Sequence, residues 1–235
     1  MKSDFTVIFD LDGTLLDTLE DLADAINYAL RELGHAEKSD AEVLAAIGNG
    51  IRNAIIKVLP GEPDGAEIER AAGLFRKRYK ECYLSKTKPY PGVMDMLAQL
   101  RGRGYGIAII SNKSEAFTAG LAEKHFGALI DAAAGERPGV PLKPDPRAVL
   151  DVLVRAGGVP GRAVYVGDSE VDVAAARNAG LPCVVAGWGF RSRDVLLAAG
   201  APPEMIAADA PAATALILSC EEAARAAIHR LPGFE

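Results

Sequence analysis

Hydrophobic positions along this chain follow two rhythms that change near residue 87. The first apolar run, Phe5-Thr6-Val7-Ile8-Phe9, is short and rich in β-branched and aromatic residues, and it predicts a buried strand. Spacings of three and four take over with Leu19, Leu22, Ile26, Leu30 and Leu33. They predict a helix from about Asp17, where Asp17 and Glu20 have capping-box spacing, to a stop at Gly34. Ser39 and Glu42 give a second capping box ahead of Val43, Leu44 and Ile47. Gly48-Asn49-Gly50 interrupts that helix, and Ile51 to Leu59 resumes it as far as Pro60-Gly61. Another helix spans about 64–84, with Ile68, Leu74, Phe75 and Tyr79 inward. Residues 17 to about 86 therefore carry helix signals and no strand signal.

Beyond residue 89 strands and helices alternate. Pro91 marks a helix start, with an apolar face over 93–100. A strand over 105–110 runs into Ser111-Asn112-Lys113, and a helix from Ser114 turns Phe117 and Leu121 inward. A strand at 129–134 leads to a Pro- and Gly-rich loop over 135–146 that contains Lys143. A helix at 147–156 precedes a strand at 163–166 that ends in Gly167-Asp168. A helix at 170–179 stops at Gly180, and 183–186 is the next strand. From about Met205 the tail adds an edge strand and one or two Ala-rich helices.

Such alternation means a parallel sheet with crossover helices. The predicted class is α/β: a doubly wound, mainly parallel Rossmann-like core formed by residues 1–16 and 87–235, with an all-helical insert at 17–86. Folds of this class bind ligands at the carboxyl ends of their strands, near the topological switch point. Here those ends carry Asp10 and Asp12, Ser111 and Asn112, and Asp168, with the Lys143 loop within reach of the same edge.

Composition narrows the function classes. At 235 residues, 49% hydrophobic and 25% charged, the chain is of ordinary globular make-up. A net charge of −6, with Arg76-Lys77-Arg78 as its densest basic cluster, argues against a nucleic-acid partner. No apolar run reaches the roughly 18 residues of a membrane span. Met1-Lys2-Ser3-Asp4 enters the first strand at once, so no signal peptide is expected and the cytoplasm is the expected compartment. Cys82, Cys183 and Cys220 lie far apart in apolar contexts and read as reduced core thiols. His35, His125 and His229 have no ligand spacing, which weakens zinc chemistry and a His-based triad.

Two carboxylates at one strand end repel, and desolvation adds to the cost unless a cation or a proton sits between them. Taken alone, Asp10 and Asp12 read equally as an Asx turn. Four segments together change that reading: Asp10-Leu11-Asp12-Gly13-Thr14, Ser111-Asn112-Lys113, Lys143-Pro144-Asp145-Pro146 and Gly167-Asp168-Ser169-Glu170-Val171-Asp172. In order and separation they resemble the motifs of the haloacid dehalogenase superfamily, in its phosphatase branch with a helical cap after the first strand. The resemblance spans nearly the whole chain.

It implies Mg²⁺ held by Asp10, the Asp12 backbone carbonyl and Asp168, with Asp172 supporting the metal through water; a helix-capping role is the alternative for Asp172. An all-oxygen set with bound waters suits that ion. It implies Asp10 as the nucleophile of an aspartyl-phosphate reaction, and Asp12 as the acid and then the base. The Gly13 amide, the Ser111 hydroxyl and the Asn112 amide would hold phosphoryl oxygens, and Lys143 would balance the spread charge and hold Asp10.

The loop Gly48-Asn49-Gly50-Ile51-Arg52 resembles the cap loop of phosphoglycolate phosphatases, with Gly48, Asn49 and Arg52 as substrate residues. Arg52 would meet a carboxylate through two hydrogen bonds, or it simply marks an exposed helix break. Trp188 reads either as the site rim or as a packed aromatic. The expected partner is a small phosphorylated metabolite, 2-phosphoglycolate first, and the protein is expected to be a monomer or homodimer. A phosphosugar mutase, a phosphatase for other sugar phosphates, nucleotides or pyrophosphate, and a non-enzymatic regulator on the same scaffold stay open. The last would usually have lost one of Asp10, Asp12, Lys143 or Asp168, and all four are present.

Overall fold

The computed structural model describes residues 4–228, so the chain start and His229 lie outside the described residues. Strand β1 (Thr6–Phe9) is fully buried and alternates its side chains between two layers. Val7 and Phe9 pack into one apolar layer and Ile8 into the other, as the period of two requires. The chain then leaves the sheet through a two-residue strand, β2 (Leu16–Asp17), and enters four helices.

Those helices are α1 (Leu19–Glu32), α2 (Asp40–Ala46), α3 (Ile51–Val58) and α4 (Gly65–Cys82). They bury an apolar cluster of their own around Ile26, Leu30, Ile55 and Phe75. The Ser39–Glu42 capping box forms as expected, and Asp64 caps α4 by accepting from the Glu67 amide. The Asp17–Glu20 box does not form: Thr18 is the N-cap of α1 and makes no side-chain cap bond. Asp17 is instead taken into β2, paired with Lys88 of the returning strand β3 (Lys88–Pro89).

The return is clamped from the insert. Asp21 of α1 is 1% exposed, and its carboxylate accepts from the Lys86 amide, the Thr87 amide and the Thr87 hydroxyl.

The remaining chain alternates. Helix α5 (Val93–Gly102) starts two residues beyond Pro91, because Gly92 adopts the left-handed N-cap conformation. Strand β4 (Gly106–Ser114) runs past the expected end at 110, with a register shift between Ile110 and Ser114. After α6 (Glu115–His125) a short 3₁₀ turn occupies Gly127–Leu129, which displaces β5 to Ala132–Glu136. Helix α7 (Pro146–Arg155), strand β6 (Ala163–Gly167), helix α8 (Glu170–Asn178) and strand β7 (Cys183–Ala186) follow the predicted pattern. A short α9 (Arg193–Ala198), capped by Ser192, lay below what apolar spacing reveals. The tail supplies β8 (Ile206–Ala207) and one helix, α10 (Ala210–Ile228).

The six strands form one parallel sheet in the order β5-β4-β1-β6-β7-β8, which is the doubly wound class. Helices α5, α6 and α10 cover one face, and α7 and α8 the other. Phe9 stands level with Ile109 and with Val166, so the residues that follow in β1, β4 and β6 emerge side by side. No helix among the described residues is long and apolar enough to cross a membrane.

The Asp21 clamp makes a stability prediction. Asp21→Ala strands three buried donors and should lower the unfolding free energy by about 2–4 kcal/mol. Urea denaturation checks this; a change below about 0.5 kcal/mol, the range of a neutral surface substitution, would mean the clamp contributes nothing.

Candidate active site

The strand-end residues converge on one buried lysine. Lys143, 4% exposed, enters from the loop before α7. An ammonium has three N–H groups, and those of Lys143 point to the Ile110 carbonyl at 3.3 Å, the Tyr165 hydroxyl at 3.0 Å and Asp172 Oδ1 at 2.8 Å. Asp10 Oδ1 lies 2.8 Å from the same Nζ. That contact is an ion pair, and apart from it Asp10 Oδ1 is buried with no other polar partner among the described residues. Burial alone would depress the lysine, but Asp10 and Asp172 outweigh it and keep it charged.

Asp172 is the satisfied member of the cluster. Its Oδ1 takes Lys143 and the Tyr165 hydroxyl, both at 2.8 Å, and its Oδ2 takes the Ser169 hydroxyl at 2.5 Å and the Asp168 and Ser169 amides. It completes a capping box with Ser169 at the start of α8. Burial opposes its charge, yet Lys143 and these donors hold it below the ordinary carboxylate range.

Asp168 has fewer partners, Thr14 Oγ1 at 3.0 Å and the Phe190 amide at 2.7 Å. Burial, with Asp172 nearby, pushes it up to about 7. Asp10 is likewise raised by burial and by Asp172, against the pull of Lys143.

Oxygen atoms of Asp10, Asp168 and Asp172 lie within 4.8 Å of one another. Three buried acids around one ammonium, two of them raised by burial, leave a place for further positive charge. An all-carboxylate donor set fits a hard divalent cation. Gly13 makes room for the cluster: at φ +82°, a Cβ there would come within 2.3 Å of Asp168 Oδ2. Its amide already donates to the Leu16 carbonyl at 2.9 Å, so in this structure Gly13 supplies space rather than a free donor.

Asp12 stands apart from the acid cluster. Its carboxyl accepts from Thr18 Oγ1 at 2.6 Å and from Ser111 Oγ at 3.3 Å, and pairs with Lys113 Nζ at 3.1 Å. The Asn112 side chain ties elements together: its Oδ1 accepts from the Lys143 amide, and its Nδ2 donates to the carbonyls of Lys143 and Gly48.

These residues floor a cavity of about 310 Å³ whose roof comes from the helical insert. Gly48 and Arg52 line it, whereas Asn49 does not; the Asn49 carbonyl accepts from Asn53 instead. The Arg52 side chain is 59% exposed and pairs with Glu69 at 3.3 Å. Arg76, read from sequence as a solvated face, also lines the cavity. Trp188 donates to the Thr14 carbonyl and packs on the core, as the packed-aromatic alternative has it.

Several contributors escaped the sequence reading: Thr14, Thr18, Tyr165, the Phe190 amide and Arg191. Lys113 stood in a quoted motif without a role. Arg191 donates to the carbonyls of Leu44 and Ile47 at the end of α2 and pairs with Glu170, which fixes the loop holding Gly48. Only Thr14 and Lys113 had a signal, their place beside motif residues.

A doubly wound sheet with acids at its central strand ends, under a helical roof, defines a class of α/β proteins that handle charged ligands at the switch point. The comparisons then fix the family. A model of the haloacid dehalogenase-like hydrolases matches residues 7–186, and this chain belongs to that family. It is 36% identical over 197 residues to a phosphoglycolate phosphatase of Mesorhizobium japonicum, covering 80% of this chain and 85% of the relative. It is 39% identical over 190 residues to phosphoglycolate phosphatase 1 of Pseudomonas aeruginosa, covering 78% and 70%. The solved structure of a candidate phosphoglycolate phosphatase from Lactobacillus delbrueckii subsp. bulgaricus superposes with a TM-score of 0.85 at 30% identity, covering 92% of this chain and 99% of that one.

The raised acids make a prediction about pH. A carboxyl whose folded pKa is about 7 against an ordinary 3.8 stabilises the fold at low pH and loses that contribution as pH rises from about 4 to 7. With chelator present, the melting temperature should therefore fall across that window; a saturating divalent cation should flatten the fall and raise stability at pH 7. A cation-independent profile would rule out a metal site at these acids.

Proposed function

We propose that this chain is a Mg²⁺-dependent phosphatase for a small phosphate monoester, with 2-phosphoglycolate the first candidate substrate. The observation that carries the reading is the cluster of buried Asp10, Asp168 and Asp172 against the ammonium of Lys143, beneath the cavity. The relatives named as phosphoglycolate phosphatases support the substrate. Residues 1–16 and 87–235 act as the catalytic core and residues 17–86 as the cap.

Asp10, the Asp12 main-chain carbonyl and Asp168 would hold the ion, with Asp172 supporting through water. When bound, Mg²⁺ supplies the positive charge that lets a phosphate dianion sit among carboxylates. Asp10 attacks phosphorus: its oxygen forms the new P–O bond as the ester P–O bond breaks. Asp12 gives its proton to the departing alkoxide, then takes one from the water that attacks the aspartyl-phosphate and frees Asp10. The Ser111 hydroxyl and the Asn112 amide are the groups assigned to the phosphoryl oxygens, with Gly13 leaving the space beside them. Lys143 keeps Asp10 oriented and offsets charge on the transferring oxygens. Arg52 is assigned to the substrate carboxylate: leaving its exposed pair with Glu69 forfeits little, since exposed pairs contribute about 0–1 kcal/mol.

Three measurements test this. Across a panel of phosphorylated metabolites, kcat/KM should be highest for 2-phosphoglycolate. Chelator or Asp10→Asn should lower turnover at least about 10³-fold; retained turnover in Asp10→Asn would sink the nucleophile. Arg52→Ala should raise KM about tenfold for 2-phosphoglycolate and far less for an aryl phosphate without a carboxylate. An equal rise for both would remove Arg52 from substrate recognition.

A further inference from the structure

The two oxygens of Asp12 are held unequally. Oδ1 accepts from Thr18 at 2.6 Å and pairs with Lys113 at 3.1 Å, whereas Oδ2 meets Ser111 alone, at 3.3 Å, among the described residues. Two partners on Oδ1 anchor that oxygen and leave Oδ2 the less constrained of the pair, on the side of Ser111.

The cation in that arrangement is itself anchored by the helical insert. Lys113 lies at the end of β4, its side chain 7% exposed, and its Nζ donates to the Tyr79 hydroxyl at 2.7 Å. The same ammonium stands 4.6 Å from the Tyr79 ring centroid. Tyr79 belongs to α4 and is 1% exposed. It stacks on Phe75 at 5.1 Å and meets Phe117 of α6 edge-on at 4.8 Å, so its hydroxyl has little freedom. A chain of contacts thus runs from the cap through Tyr79 and Lys113 to Oδ1 of Asp12.

We propose that Lys113, held by Tyr79, is a positioning residue that turns Asp12 so that Oδ2 faces the leaving-group oxygen, which makes acid catalysis depend on the seating of the cap. The step served is the first one. The proton leaves Asp12 Oδ2 for the ester oxygen as the P–O bond to that oxygen breaks and the Asp10–phosphorus bond forms. With the cap displaced, Lys113 loses its second partner and the acid is no longer aimed. The inference rests on the phosphatase reading above and deepens it.

The test compares two leaving groups. An alkyl alkoxide needs its proton in the transition state, whereas 4-nitrophenolate departs without one. kcat/KM reports the steps up to phosphoryl transfer onto Asp10, before Asp12 acts as base. In Tyr79→Phe, which keeps the ring, the ratio of kcat/KM for 2-phosphoglycolate over 4-nitrophenyl phosphate should fall about tenfold, the size of one hydrogen bond to a charged group. Lys113→Met should lower the same ratio, and the double variant should lose no more than Lys113→Met alone.

A ratio within about twofold of the parent in Tyr79→Phe, or an equal fall on both substrates, would leave only a packing role and overturn the proposal. Asp12→Asn is the reference. If it lowers the ratio while Tyr79→Phe does not, the positioning role alone fails; if it leaves the ratio unchanged, the acid assignment fails and takes this inference with it.

Discussion

The structure depends on a charge imbalance at the carboxyl edge of its sheet. Three buried carboxylates, Asp10, Asp168 and Asp172, face a single buried ammonium, Lys143. Removing one partner from such a cluster is strongly destabilising, and packing the cluster with too few cations is costly in itself. The imbalance is divided unevenly. Asp172 takes the lysine, a tyrosine, a serine and two amides, and holds its charge. Asp10 and Asp168 are left raised, and Asp10 Oδ1 has its ion pair with Lys143 and no other polar partner among the described residues. A cluster that satisfies one acid so fully and leaves its neighbours raised has room for further positive charge.

The helical insert is tied into that edge at several points. Asp21 gathers the returning chain at Lys86 and Thr87, and β2 pairs with β3 where the chain crosses between layers. Arg191 reaches from the loop after β7 to the last carbonyls of α2, and Asn112 holds Gly48. Phe190 packs against the insert while its amide binds Asp168. The same short loop therefore fixes an acid of the cluster and the roof above it. Seating of the roof and arrangement of the acids are not independent variables.

Much of this was legible in the residues because the signals were local. The period-two run of β1, the Ser39–Glu42 box, and the strands that carry Asp10, Ser111 and Asp168 to one sheet edge each follow from a few adjacent positions. Errors arose where a distant partner decided. Asp17 has cap spacing, but pairing with Lys88 draws it into β2. Gly13 was assigned a free amide, yet that amide is spent on Leu16 and the missing Cβ is what the site needs. Lys113 and Tyr79 meet across 34 positions of sequence, so no pattern along the chain announces them. Arg191 and Ile47 are 144 apart, and their contact exists only once the insert closes on the core.

Under the proposed function Asp10 is the nucleophile that takes the phosphoryl group. The decisive measurement is acid quenching of a single turnover with excess enzyme, followed by peptide mass spectrometry. A transient phosphoryl adduct on Asp10 is expected, formed before inorganic phosphate appears and lost as phosphate accumulates. Phosphate released with no adduct at any time point, or an adduct on another residue, would contradict it.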